Sequence, residues 1–210
     1  MKKQLVFIFA LIAIAFSSSA QFGMQIGWNI TDYRYVNAGT HQKRDMKMGI
    51  NAGILYRTPG KYLSVQPTLL YTQKGAVNSV TDYFGTSNID HYKNKLNYLE
   101  LSLPVLLKAP YDGPKATFDI GAGPYVGRLV SAVSKVVDFD GNFRNNKFKV
   151  GTSDSSDFTP TDIGLTIYMG FKVYHFNMSF TYDIGISDVD PAKSASIRNR
   201  CFNINLGVFF

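Results

Sequence analysis

The chain of 210 residues reads as an all-β protein, an eight-stranded antiparallel up-and-down transmembrane β-barrel. Three observations predict it. Apolar and polar residues alternate with a period of two through most of the chain. An apolar run early in the sequence has the form of a removable export signal. No later run supplies the roughly 20 apolar residues that a membrane-crossing helix needs. A chain in lipid without such helices crosses as a barrel, because an open sheet leaves backbone groups unpaired where water is absent.

The export signal comes first in chain order. Lys2 and Lys3 are a basic start, Leu5 to Phe16 an apolar centre, and Ser17-Ser18-Ser19-Ala20 a small-residue cleavage region. The expected division is therefore a signal peptide over 1–20 and a barrel domain over 21–210. Loss of the two signal lysines takes the formal charge from +7 to +5.

Each strand then follows from its alternation. Over 22–31, Phe22, Met24, Ile26, Trp28 and Ile30 share one face, with Gly23, Gln25, Gly27, Asn29 and Thr31 on the other. Residues 47–57 form the second strand, with Met48, Ile50, Ala52, Ile54 and Tyr56 as its apolar row. Thr58-Pro59-Gly60-Lys61 is a tight turn. The third strand, 62–73, carries Leu63, Val65, Leu69 and Tyr71, and Pro67 within it calls for a bulge.

A polar stretch from Lys74 to Asn94 precedes the fourth strand, 95–108, whose apolar row is Leu99, Leu101, Leu103, Val105 and Leu107. After the turn at Pro110-Tyr111-Asp112-Gly113-Pro114, a fifth strand spans 116–130. Residues 131–160 make the longest loop, rich in Ser, Asp, Asn, Gly and Lys. The sixth strand, 161–172, and the seventh, 176–186, are joined by a very short link. A polar stretch over 187–197 leads to the eighth, 198–210.

Short turns thus alternate with long loops at 32–46, 74–94, 131–160 and 187–197. That asymmetry matches outer-membrane barrels, whose periplasmic turns are short and external loops long. A soluble ligand-binding barrel would turn its apolar rows inward. Here the polar rows are small (Gly, Ser, Thr, Asn) and the apolar rows large, with aromatics near strand ends such as Phe22, Phe118 and Phe176. The apolar rows are therefore expected to face lipid. In the last strand Phe202, Ile204, Leu206, Val208 and Phe210 fill every second position to the final residue, the form of a barrel-assembly signal.

Composition excludes other classes. The modest positive charge is mixed with aspartates and forms no basic stripe with base-stacking aromatics, so nucleic acid is not an expected partner. Cys201 is alone, which precludes an intramolecular disulfide. No metal-ligand cluster, nucleotide fingerprint or other cofactor motif is present, and no cofactor is expected.

The inner rows carry Glu100, Asp119, Asp162 and Asp183, with Arg57 and Lys172 near the periplasmic rim. Carboxylates removed from water must be paired, so these six are expected to form a polar network in a side-chain-filled lumen. A narrow ion or proton path is the other use of such a row. A lipid-modifying enzyme would need reactive loop residues. His41 and His91, near Asp45 and Asp90, with Ser87, are the one set able to perform acyl transfer, and their spacing does not single them out. The loop over 131–160, with Phe139, Phe143, Phe148 and Phe158 among charges, is the best candidate partner surface.

Several segments carry a family resemblance. Tyr98-Leu99-Glu100-Leu101, Leu103-Pro104-Val105-Leu106-Leu107-Lys108 and Gly121-Ala122-Gly123-Pro124-Tyr125-Val126-Gly127 come in order. Asp162-Ile163-Gly164-Leu165 and Tyr182-Asp183-Ile184-Gly185-Ile186-Ser187 continue the series. Together they resemble the PorT-like outer-membrane β-barrel family, with one departure, the Leu101-Ser102-Leu103 inserted before Pro104. The resemblance implies an outer-membrane location and an eight-stranded barrel. Its namesake implies an accessory place in a type IX secretion and gliding apparatus. The expected role is a structural or binding barrel whose external loops meet a partner protein or lipopolysaccharide. Outer-membrane lipid and the barrel-assembly machinery are its other expected partners.

Overall fold

The computed structural model describes residues 21–36, 44–79, 89–112, 115–138, 140, 142–191 and 196–210. The signal over 1–20 lies outside them. The strands in chain order are β1 (Gln21–Val36), β2 (Arg44–Asp45), β3 (Lys47–Arg57), β4 (Leu63–Val65), β5 (Thr68–Lys74), β6 (Val77–Ser79) and β7 (Ile89–Ser102). They continue as β8 (Val105–Asp112), β9 (Ala116–Asp138), β10 (Phe143–Lys147), β11 (Thr161–Val173), β12 (Phe176–Gly185) and β13 (Ser196–Phe209).

Among the described residues eight of these form a ring, in the order β1, β3, β5, β7, β9, β11, β12, β13 and back to β1, every pair antiparallel. The expected third and fourth strands are each broken near a proline. β4 and β5 are separated at Gln66-Pro67, and β7 and β8 at Leu103-Pro104, where the missing N–H interrupts the ladder. β4 pairs β8, and β8 pairs the lower part of β9, so the two breaks fall side by side.

Burial settles which face is which. The apolar rows point away from the barrel: Ile26 is 64 % exposed, Leu107 58 % and Phe176 69 %. Asp119 and Asp162, on the opposite rows, are 0 % exposed. This reverses a soluble barrel and is the arrangement lipid selects. Aromatics cluster at the end holding the termini, where Phe22 lies 6.4 Å from Tyr56 and Phe118 is paired with Phe171. The link between β11 and β12 is the two-residue turn Tyr174-His175, with Tyr174 at a φ of 53° as such turns require.

Away from the termini, the strands outrun the sequence reading. β1 continues to Val36, β7 begins at Ile89, and β9 runs to Asp138, well into the expected 131–160 loop. There β9 hairpins into β10. The cause of the misreading is a bulge. The pairing of β7 with β9 shifts between Asn97 and Tyr98, which stand opposite Ser131 and Leu129 and leave Val130 as an extra residue. One extra residue exchanges the two faces of β9. Tyr125, Gly127 and Leu129 point inward below the bulge, and Ala132, Ser134 and Val136 above it. The alternation is broken at that point although the strand is not.

Candidate functional site

The lumen is occupied at several levels. At the base, Arg57 ends β3 on its inward row. Its Nη1 donates to Asp119 Oδ2 at 2.6 Å, its Nε to Gln66 Oε1 at 2.8 Å, and its Nη2 to Tyr168 Oη at 3.1 Å. Arg57 and Asp119 are 1 % and 0 % exposed, so this is a fully desolvated ion pair held by neutral neighbours. The penultimate Phe209 turns inward beneath it. Its ring lies 4.9 Å from the Arg57 guanidinium and 5.3 Å from Lys172 Nζ, a cation on each side. Lys172 also donates to Gln21 Oε1.

Higher up, Lys74 closes β5 and reaches two carboxylates, Glu100 Oε2 at 2.5 Å and Asp162 Oδ2 at 3.1 Å. Asp162 also accepts from Tyr125 Oη at 3.3 Å and Asn199 Nδ2 at 2.8 Å. The Lys74 ammonium lies 4.4 Å from the Tyr125 ring and 5.5 Å from that of Tyr98. Asp183 is held separately, by Thr166 Oγ1 at 2.7 Å and Asn203 Nδ2 at 2.8 Å. Small residues make room for the rings. A Cβ on Gly164 would sit 2.5 Å from the Tyr125 ring, and one on Gly170 would sit 2.4 Å from Tyr168 Oη. Between the two levels, among Gln25, Thr68, Ser102 and Ser179, remains a void of about 10 Å³, room for about one water molecule.

The six charged residues read from the inner rows do not all meet. Asp119 joins Arg57, with Lys172 beside them at Phe209, while Glu100 and Asp162 meet on Lys74 and Asp183 has its own partners. Lys74 is the residue the sequence reading missed. Followed by Gly75 and a polar stretch, it looked like the start of a loop. Its signal was parity: Lys74 is on the inward row of β5 with Thr68, Leu70 and Thr72.

The mouth opposite the termini is filled differently. Tyr33, Leu96, Tyr98, Leu129, Ala132, Phe158 and Val189 form a buried apolar cluster, with Phe148 and Ile197 against it. Residues 148–159 fold back to complete it. Val150 bridges Phe158, Phe148 N–H donates to Ala132 O at 3.1 Å, and Thr159 N–H to Val189 O at 3.0 Å. Phe158 meets Phe148 edge-on at 4.9 Å and Tyr33 at 6.4 Å. The four phenylalanines expected on a partner surface therefore separate. Phe148 and Phe158 belong to an internal cap, Phe143 is exposed on β10, and Phe139 is outside the described residues.

In β13, Phe202, Leu206, Val208 and Phe210 face outward as expected, Ile204 shares their row half-buried, and Phe210 N–H donates to Phe22 O at 2.7 Å. Of the acyl-transfer set, His41 and Ser87 and the side chains of Asp45 and Asp90 lie outside the described residues. His91 is in β7 opposite Val137.

A search of curated proteins finds no match. Solved structures similar to the chain include Ail, the attachment invasion locus protein of Yersinia pestis, in complex with the heparin analogue sucrose octasulfate, at 11 % identity and a TM-score of 0.46. That match covers 92 % of this chain and 100 % of Ail. Neisserial surface protein A matches at 14 % identity and 0.46, over 92 % of this chain and all of its own. The N-terminal barrel domain of Pseudomonas aeruginosa OprF matches at 13 % and 0.36, over 91 % and 100 %. The family model for the outer membrane protein beta-barrel domain matches residues 15–190. With its lipid-facing apolar rows and ring of eight strands, the chain belongs to that family and is an integral protein of the outer membrane.

Proposed function

We propose that the chain is a binding barrel, a filled cylinder that holds a folded crown outside the cell for a partner to engage. One observation carries this reading: among the described residues the interior holds the Arg57–Asp119 pair at one level and the Phe158 cap at another, and the void among Gln25, Thr68, Ser102 and Ser179 is about 10 Å³. Buried ion pairs bridge opposite walls, Arg57 to Asp119 and Lys74 to Asp162, which argues against an open pore through the described lumen. What the barrel offers is then its outer end, oriented by the loop asymmetry of the family's architecture.

Among the described residues of that end, β10 is an exposed strand. All five of its residues are exposed, its backbone pairs on one side with β9, and it carries Phe143, Arg144 and Lys147. A strand edge of this kind accepts an extended segment from another protein. The resemblance to PorT-like proteins names a first partner to try, a component of a type IX secretion apparatus. The test is cross-linking on intact cells, comparing the native chain with a Phe143→Ser/Arg144→Glu/Lys147→Glu variant. Loss of a defined adduct supports the reading, and an unchanged adduct pattern overturns it. Planar-bilayer recordings on the purified barrel should show no steady conductance; a steady current would replace the binding role with a conducting one.

A further inference from the structure

The pairing of β10 with β9 fixes which backbone groups of β10 face away from the sheet. Phe148 N–H donates to Ala132 O at 3.1 Å, and Asp138 N–H to Asn142 O at 2.9 Å. Both bonds keep the register of the ladder, in which Phe143 is opposite Val137 and Lys147 opposite Val133. Hydrogen-bonded pairs alternate along an antiparallel ladder, so Arg144 and Asn146 also turn their backbone groups to β9. Phe143, Asn145 and Lys147 turn theirs the other way, and among the described residues β10 pairs with β9 alone. The open edge therefore presents N–H donors and C=O acceptors in alternation.

The side chains of those same three residues share the outward face of the crown sheet. Across β10, β9 and β7 the rows read Phe143, Val137 and His91, then Asn145, Lys135 and Lys93, then Lys147, Val133 and Lys95. Four lysines thus lie on one face. Two of them, Lys93 and Lys135, are directly opposed, although like charges so placed repel. Lys135 extends over β10, with its Nζ 3.9 Å from the Phe143 ring. Among the described residues no carboxylate lies within 4.0 Å of any of the four. On the other face of β10 the exposed Arg144 adds a further cation.

We propose that β10 is extended by an acidic strand of a partner protein, whose every second side chain is a carboxylate on the lysine face. This rests on the binding role of β10 and gives its partner a chemistry. A carboxylate opposite Lys147 meets it directly. One opposite Asn145 comes within reach of Lys135, whose side chain already crosses to β10. The alternating donors and acceptors of the edge are a repeat that another polypeptide backbone matches and a polyanionic sugar lacks. A second copy of the chain fits less well, because β10 against β10 adds Arg144 and Lys147 to a region already cationic.

The test titrates the full-length barrel, folded in neutral detergent, with short fluorescent peptides. One alternates Thr and Glu, and a second replaces each Glu by Gln. A third is the Glu peptide N-methylated at each Glu, which removes the donors that would face β10. At low salt the Glu peptide should bind about tenfold more tightly than the Gln peptide, as expected of a few exposed ion pairs. N-methylation should weaken it by about tenfold or more. Lys93→Gln/Lys135→Gln/Lys147→Gln should bring the Glu and Gln peptides within about twofold of each other. Lys61→Gln, in the turn between β3 and β4 at the other end of the barrel, should leave the tenfold ratio in place. Heat-modifiable migration identifies folded variants, and the peptide comparison is made on the native chain alone. Equal binding of the Glu and Gln peptides, or no binding of either, overturns the acidic partner and leaves β10 as the surface cross-linked on cells. Equal binding of the N-methylated peptide overturns strand pairing, and with it the use of the β10 edge.

Discussion

The membrane wall and the crown above it are built from the same strands, yet they bury opposite kinds of side chain. Along β7, the outward row reads Leu101 and Leu99 in the wall, then Lys95 and Lys93 in the crown, without a change of parity. Inside, Ser102 and Glu100 give way to Tyr98 and Leu96. In β1 the outward Trp28 and Ile30 are followed by Asp32 and Arg34, with Asn29 and Thr31 inside below Tyr33. Strand geometry sorts residues onto two faces in both regions. The surrounding medium decides which face is apolar, hydrocarbon below and water above. The wall must then satisfy its interior with paired charges, while the crown has an ordinary apolar core.

That contrast can be broken at its strongest point first. Lys74→Met leaves Glu100 and Asp162 buried without their shared cation, and should cost about 3–5 kcal/mol. Urea unfolding in vesicles measures it. Adding Glu100→Gln and Asp162→Asn should recover most of the loss, and no recovery would mean that Lys74 matters for something other than charge pairing. In the crown, Phe158→Ala removes the centre of the cap and should cost about 3 kcal/mol. Its effect should be confined, seen as protease cleavage within 142–160 while the barrel still migrates as folded. Cleavage unchanged from the native chain would show that the cap does not depend on this ring.

A smaller effect tests the medium directly. Leu101→Lys puts a charge on the lipid-facing row and should destabilise by about 2 kcal/mol in a bilayer. Lys93→Leu, on the same row above the membrane, should change stability by less than about 0.5 kcal/mol. Equal effects would remove the distinction between the two regions. The smallest expected effect is deletion of Phe210, which removes one lipid-facing aromatic and the N–H donated to Phe22. It should lower the yield of heat-modifiable barrel delivered to the outer membrane, and a native yield would argue against an assembly role for the residue.

The wall was legible because its medium imposes a strict rule. Every second residue from Phe22 to Ile30, or from Ile163 to Phe171, must be apolar, and a period of two is easy to see. Arg57, Glu100, Asp119, Asp162, Lys172 and Asp183 were legible for the same reason, as charges on inward rows. Their partners were not. Parity places Glu100 and Asp162 inside but says nothing of which strand brings the cation, and Lys74 lies 26 and 88 residues away from them. The crown was hidden by two local events. The bulge at Val130 broke the alternation of β9, and above the membrane the residues 131–138 mix small, polar and aliphatic side chains on both faces. Polar loop composition then made Phe148 and Phe158 read as a partner surface, because parity does not show that the 148–159 segment folds back to hydrogen-bond Ala132 and Val189.

The β1–β13 seam has a consequence for how the molecule is made. These two strands are the first and last of the ring, and their pairing runs from Gly23–Phe209 to Val36–Ser196. Until the final segment arrives, both strands carry an open edge of backbone donors and acceptors able to pair with any other chain. The equilibrium cost of so distant a pairing is modest, since each doubling of loop length adds only about 0.6 kcal/mol. The hazard is one of time. The nascent chain must be shielded from its neighbours until it reaches the membrane, and β13, the last strand of the ring in chain order, is the one that ends its exposure.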